Sequence, residues 1–262
     1  MQIKNILLTL LAATSLNVFA GDVEKESNAQ IKLLKQEIAS LKKDVALLIN
    51  NQQAIAAHVG LVKKEEAPKE QPPIPFGDSA TLGSQDAELV LIEFTDLHCP
   101  FCKRFNFETM PKLKKSFVDK GELLFVGKHY PIVALHKNAM EASKALECAR
   151  SQKSEDQAFY TSAKNWLFEQ GSRFLEREKE IFVSKMSLDK LSFDSCMENP
   201  NTEATIQMDI NLVRQLGLRA TPAFAIGLKE GNTAVKWKTF EGAKSYENFT
   251  SAIEQIKQSK SE

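Results

Sequence analysis

The sequence carries no surplus of charge of either sign. Its 34 basic side chains are matched by 34 acidic ones, so nothing in the overall balance draws it to nucleic acid or to an anionic membrane surface. It also lacks a long hydrophobic run near its start: the apolar stretch from Ile6 to Leu16 is little more than half of the roughly 20 residues that a bilayer-crossing helix needs. Cysteine and histidine are scarce, four of each. A structural zinc site normally shows two close cysteine pairs or clustered histidines. Here there is one close pair, Cys99 and Cys102, and His58, His129 and His136 have no ligand spacing. No metal and no other cofactor is expected, and His129 and His136 read as surface or helix-start residues.

What the start does contain is Lys4 in a short basic leader, the apolar stretch, and then Val18-Phe19-Ala20, with small residues where a signal peptidase needs them. Residues 1–20 are read as a cleaved secretory signal, and the periplasm as the destination. No cysteine closely follows the apolar run, which argues against a lipoprotein anchor. All four cysteines then belong to an exported chain, where disulfides form and persist. The remaining length and an apolar fraction of 43% are those of a folded protein with a core, in one large domain or two small ones.

From Ile31 the apolar residues follow a three-four alternation: Ile31, Leu34, Ile38, Leu41, Val45, Leu48, then Ile55, Val59 and Val62, interrupted at Gln52. A helix packed on a globular core shows a wider, less regular stripe, so this seam predicts a coiled coil over residues 21–62. Isoleucine and valine at the a positions, with mostly leucine at d, favour a parallel homodimer through residues 31–62, with a trimer open. Glu37 and Lys42 are placed to pair between chains. The stretch "KKEEAPKEQPPIPF" that follows is charged and proline-rich, with almost nothing to bury, and residues 63–77 are read as a linker.

Beyond the linker, "ELVLIEFTD" (88–96) is a near-continuous apolar run of strand length, suited to a strand buried on both faces. Pro100 then suits the first turn of a helix, which Pro111 is expected to break or kink. A second strand, "ELLFVGKHYPI", leads into a long helical stretch over about 134–216. The chain closes with "TPAFAIG", "VKWKTFEG" and a helical "SYENFTSAIEQIKQ". The fold class is α/β, with a helical block inserted after the second strand. The close cysteine pair thus sits where a strand gives way to a helix. Unpaired N–H groups and the helix dipole at that point stabilise an anion, so Cys99 is suited to be an ionised, attacking sulfur, with Cys102 one turn in as the resolving thiol.

The run "SATLGSQDAELVLIEFTDLHCPFCKRF", followed in order by "CAR", "FDSCMENP" and "LGLRATPAFAIG", resembles the DsbA-like branch of the thioredoxin superfamily, which comprises exported thiol–disulfide oxidoreductases. The resemblance covers residues 78–258; the coiled coil lies outside it but is similar in purpose to the oligomerising arms of disulfide isomerase relatives. It implies a thioredoxin fold with a helical insertion, a redox-active Cys99–Cys102 pair, exported client proteins and a membrane redox partner. It also implies that Glu93 is a buried acid beneath the resolving cysteine and that Thr221-Pro222 is a substrate-facing cis-proline loop; Lys128, in the second strand, is a candidate counter-ion for Glu93 on its place in the sequence alone. Cys148 and Cys196 match a second disulfide, more naturally a structural staple than a second redox pair. Pro100-Phe101 differs from the Pro-His of DsbA itself, so an imidazole contact to the thiolate is missing. Either His98 substitutes for it or His98 is an exposed loop residue. Phe101 points to an intermediate potential, and oxidase, isomerase and reductase remain open, as does a non-catalytic chaperone or metal-sequestering protein that kept the fold.

Overall fold

A computed structural model describes residues 30–45, 48, 71–174 and 176–259. The signal sequence expected at 1–20, the second half of the heptad seam and the start of the linker lie outside these residues. The chain divides into two units, Met1–Lys69 and Glu70–Glu262. In the first, residues 30–45 form a helix, α1. Its seam residues stand exposed: Ile31 at 45%, Leu34 and Leu41 at 56%, Ile38 at 51% and Val45 at 52%.

The second unit is built on a six-stranded sheet of β1 (Ile74–Pro75), β2 (Ala80–Leu82), β3 (Leu89–Thr95), β4 (Leu123–His129), β5 (Ala223–Glu230) and β6 (Thr233–Glu241), in the order β1-β6-β5-β3-β4-β2. Only β3 and β4 run parallel; every other pairing is antiparallel. All seven residues of β3 and all seven of β4 are buried, as strands covered on both faces must be. Leu89, Leu91, Leu123 and Phe125 face one core with Phe105, Phe168 and Phe249. Val90, Ile92, Phe94, Leu124 and Val126 face the other, with Val213 and Leu218.

Helices α4 (Ala139–Gln152), α5 (Gln157–Gln170), α6 (Glu176–Lys185), α7 (Lys190–Glu198) and α8 (Pro200–Gln215) form the insertion between β4 and β5, and α9 (Tyr246–Ser259) closes the chain. Their starts follow local chemistry: the Asp156 side chain accepts from Phe159 N at the head of α5, and Asn199 accepts from Asn201 N ahead of Pro200 in α8. A disulfide joins Cys148 of α4 to Cys196 of α7 across 48 residues, with Cα atoms 5.6 Å apart. Closing a loop of that length contributes about 4 kcal/mol in the chain-entropy estimate.

One expectation is corrected here, and another takes a particular form. The linker read over 63–77 does not extend to its end: Ile74 pairs with Ala234 of β6, and Ile74 and Phe76 are 1% and 3% exposed. Trp237 Nε1 also donates to the Pro72 carbonyl at 3.0 Å. Charge and proline hid two core residues spaced to face one side. At Pro111 the helix changes its winding on either side without ending. The chain runs from α2 (Pro100–Arg104) through a π turn (Phe105–Thr109) into α3 (Met110–Leu113) and a second π turn (Lys114–Val118). In the wider turn ahead of the proline the Met110 N–H reaches back five residues to the Phe105 carbonyl, the kind of local rewinding expected beside a proline.

The buried strands carry three ionisable side chains, Glu93, Lys128 and His129, and each is paired with the insertion. Lys164 of α5 lies 2.6 Å from Glu93, Asp209 of α8 lies 2.8 Å from Lys128, and Glu147 of α4 lies 2.9 Å from His129. A charge removed from water needs such a partner, so these pairs key the helices to the sheet. His129 is thus a core residue, 3% exposed, and not a surface one. Burial raises the Glu147 pKa, but hydrogen bonding from His129 and the Arg150 charge outweigh it and hold the group at about 2, against 4.5 ordinarily. With a depressed folded pKa, the stabilisation is complete above about pH 4.5 and lost as pH falls toward 2, about 3 kcal/mol in all. Urea unfolding across this window should show the parent losing about that much more stability than Glu147→Gln; parallel curves would refute it.

Candidate active site

Asp96 directly follows β3, and three residues later Cys99 caps α2 with an extended backbone, φ −75° and ψ 123°. Pro100 follows at the first helical position, where a missing N–H costs nothing. The Cys99 N–H donates to the Asp96 carbonyl at 3.1 Å, and the Lys103 N–H to the Cys99 carbonyl at 3.0 Å. This places the Cys99 sulfur over the free N–H groups of the first turn. Cys102, one turn in, is completely buried. Both are free thiols in this structure.

The two sulfurs are held in opposite states. Hydrogen bonding from Cys102 is the largest influence on Cys99; with Thr221 and the N–H groups of Cys102 and Phe101 it outweighs burial and lowers the pKa from 9.0 to about 5. Burial pushes Cys102 well above 9.0, reinforced by the hydrogen bond to Cys99 and the negative charges of Cys99 and Glu93. At neutral pH Cys99 is a thiolate and Cys102 a thiol.

The Thr221–Pro222 peptide is cis and faces this pair: the Thr221 carbonyl lies 3.5 Å from Cys99 Sγ. The Glu241 carboxylate of β6 fastens the approach to this loop by accepting from the Arg219 and Ala220 N–H groups.

Glu93 lies in the middle of β3, fully buried, on the face that packs against α5. Its counter-ion is Lys164, not Lys128, which instead serves Asp209, the Phe76 carbonyl and Ser79 on the opposite face. Alternation along β4 decides this: with Phe125 and Gly127 turned toward α5, Lys128 must point away. Gly127 leaves the space that Tyr160 fills, and a Cβ there would collide with the phenol oxygen. Lys164 also sits 5.2 Å from the Phe125 ring centre and 5.8 Å from that of Phe168, so its charge is covered by aromatic faces.

His98 is neither exposed nor bonded to the thiolate. It is 9% exposed, and neither ring nitrogen has a hydrogen-bond partner among the described residues. Burial lowers its pKa, which the charge of Asp96 only partly opposes, so the ring is uncharged at neutral pH. Phe101 is 53% exposed beneath the Arg104 guanidinium, which lies 5.2 Å from its ring centre. Sequence reasoning missed Lys164, Glu241, and the link of Asp96 to His136. For Lys164 nothing local marks the residue, while Asp96 and His136 carried a visible signal: an acid directly after a buried strand and a histidine just before a helix.

A sequence model of the family described as Thioredoxin matches residues 77–255, more than half of the chain. The chain belongs to the thioredoxin family. Among curated relatives, disulfide bond formation protein D of Bacillus subtilis is 27% identical over 157 residues, covering 56% of this chain and 67% of that protein. Among solved structures, Wolbachia pipientis alpha-DsbA1 is similar with a TM-score of 0.59 at 22% identity, over 70% of this chain and 92% of that one. Pseudomonas aeruginosa DsbA2 is similar with a TM-score of 0.55 at 24% identity, over 73% and 97%. Within the thioredoxin family, this chain is a thiol–disulfide oxidoreductase.

Proposed function

We propose that the chain is an exported enzyme that introduces or exchanges disulfides in secreted proteins through Cys99 and Cys102. One observation carries this reading: a low-pKa sulfur at the start of α2, 5% exposed, and a completely buried, high-pKa sulfur sit one helical turn apart, with the Thr221 carbonyl beside the first. From the oxidised form, a client thiolate attacks Cys99 Sγ. The Cys99–Cys102 bond breaks, a client–Cys99 bond forms, and the electron pair leaves on Cys102. Glu93 lies near enough for its charge to act on Cys102, and in the reverse direction it can take the proton that Cys102 must lose before attacking. A second client thiolate then attacks the client sulfur of the mixed disulfide and expels Cys99. The client loses two electrons and two protons to the enzyme, and a membrane redox partner accepts them in turn. The cis-proline loop offers the Thr221 carbonyl to the N–H of an extended client strand.

The low Cys99 pKa makes this sulfur a good leaving group and favours oxidation over reduction. Since His98 is uncharged, the Cys102 thiol first, then Thr221 and the N–H groups of the helix start, carry that stabilisation, and the Pro100-Phe101 pair adds no imidazole to it. Adding the full chain in its oxidised form to reduced ribonuclease tests the reading, with rapid recovery of ribonuclease activity expected; recovery at the uncatalysed rate would refute it.

An isomerase reading draws on α1. A row of five apolar residues left about half exposed on one helix is what a second copy would cover in a parallel coiled-coil homodimer, bringing two sites to one client. Deleting residues 22–62 should then take the mass measured by light scattering from that of a dimer to that of a monomer, and a mass that stays dimeric would refute the dimer through this segment.

A further inference from the structure

The turn that presents Cys99 is held from a distance. Asp96 is completely buried, and each of its four polar groups is engaged. Its backbone reaches both cysteines: the carbonyl accepts from the Cys99 N–H at 3.1 Å, and the N–H points at Cys102 Sγ at 3.5 Å. Its carboxylate ties two segments together. Oδ1 accepts from the His98 N–H inside the turn, while Oδ2 accepts from the Ile132 N–H and from His136 Nδ1, each at 2.8 Å. Ile132 and His136 belong to the loop between β4 and α4, and that loop closes on itself through the His136 N–H to Ile132 carbonyl bond, 2.9 Å.

We infer that His136 is a positioning residue for the redox pair, acting through the Asp96 carboxylate. An ionised carboxylate only accepts, so His136 presents Nδ1–H, and this fixes both the tautomer of the ring and the direction of the carboxylate. The carboxylate in turn fixes the turn from 96 to 99, and with it the place of Cys99 over the N–H groups of the helix start. The same bonds offset part of a buried negative charge that lies three residues from the thiolate. Without His136, the carboxylate is less satisfied and free to rotate, and the Cys99 thiolate loses both its placement and some of its electrostatic shelter. His98, the other ring facing Asp96, makes no hydrogen bond through its side chain among the described residues and cannot take over the anchoring.

The inference rests on the redox role of Cys99 and Cys102, and the test separates the two. The full chain is equilibrated with reduced and oxidised glutathione, and thiolate absorbance is titrated against pH. If the parent protein does not exchange with glutathione at all, the proposed function fails. Given exchange, His136→Ala is expected to shift the equilibrium about tenfold toward the enzyme disulfide, equivalent to about 30 mV, with the thiolate titration moving up in pH. His136→Asn, whose amide N–H sits where Nδ1–H was, is expected to stay within about twofold of the parent. Parent-like potential and titration in His136→Ala, with only the melting temperature lowered, would reduce His136 to a structural residue and overturn the inference. If His136→Ala does not fold, His136→Gln, whose amide lies one bond farther out, replaces it: a shift in Gln but not in Asn supports the positioning role, and equal values refute it.

Discussion

Replacing Cys99 with serine is expected to bring the oxidation of reduced ribonuclease down to the rate without enzyme. Serine keeps the size of the side chain and its place at the cap of α2, so folding is preserved. What it removes is a sulfur that holds its charge at a pKa of about 5. A hydroxyl in the same position stays protonated and forms no disulfide. The reduced parent should show a thiolate absorbance that rises through about pH 5, and Cys99→Ser should lack it, because the Cys102 pKa lies far above that range. The sign follows from a depressed pKa: the dithiol form is stabilised above about pH 5, and that advantage, with the drive to oxidise clients, is lost as pH falls through it. Cys102→Ser should behave differently. It keeps the attacking sulfur but cannot resolve, so a client disulfide with Cys99 should accumulate and be seen as a mass shift on a non-reducing gel. A thiolate band that survives Cys99→Ser would overturn the assignment of the two roles.

Lys164→Met is expected to cost about 3–5 kcal/mol of stability, the range found when one partner of a buried ion pair is removed. Glu93 is fully buried, and with Lys164 gone its carboxylate has no cation within hydrogen-bond reach among the described residues. Methionine fills much of the same volume against Phe125 and Phe168, so packing loss is small and the electrostatic term dominates. Adding Glu93→Gln should return a large part of the loss, since no unpaired charge is then left at this point of the core. The two single changes and the double, compared by urea unfolding, form a cycle. Additive losses would show that the pair is not coupled, and a mild effect of Lys164→Met would show that water reaches Glu93. Because Lys164 comes from the insertion, this pair also ties the helical block to the strand that leads to Cys99, so its loss should loosen the redox turn as well as the core.

Much of the architecture was legible because it rests on local chemistry. The apolar run before Cys99 is a strand buried on both faces, Pro100 does start a helix, and the block after "ELLFVGKHYPI" is helical from Ala139 to Gln215. Short edges were not legible. Strands β1 and β2 contain two and three residues, too few for a periodic signal, and β1 is written in a proline-rich stretch that reads as a linker. At Pro111 the sequence signalled an irregularity, but a proline rule about the i to i−4 ladder does not say that it takes the form of π turns.

The site divides the same way. Spacing along one chain was enough to place two sulfurs one turn apart, to say which of them begins the helix, and to put a Thr-Pro at the start of a later strand. Only the tertiary structure decided who partners whom across it: that Lys164 and not Lys128 meets Glu93, that His129 is buried on Glu147, and that His136 reaches Asp96. The physical reason is that a buried charge takes whichever opposite group the packing of distant helices brings within about 3 Å, and no local pattern in the sequence records that choice.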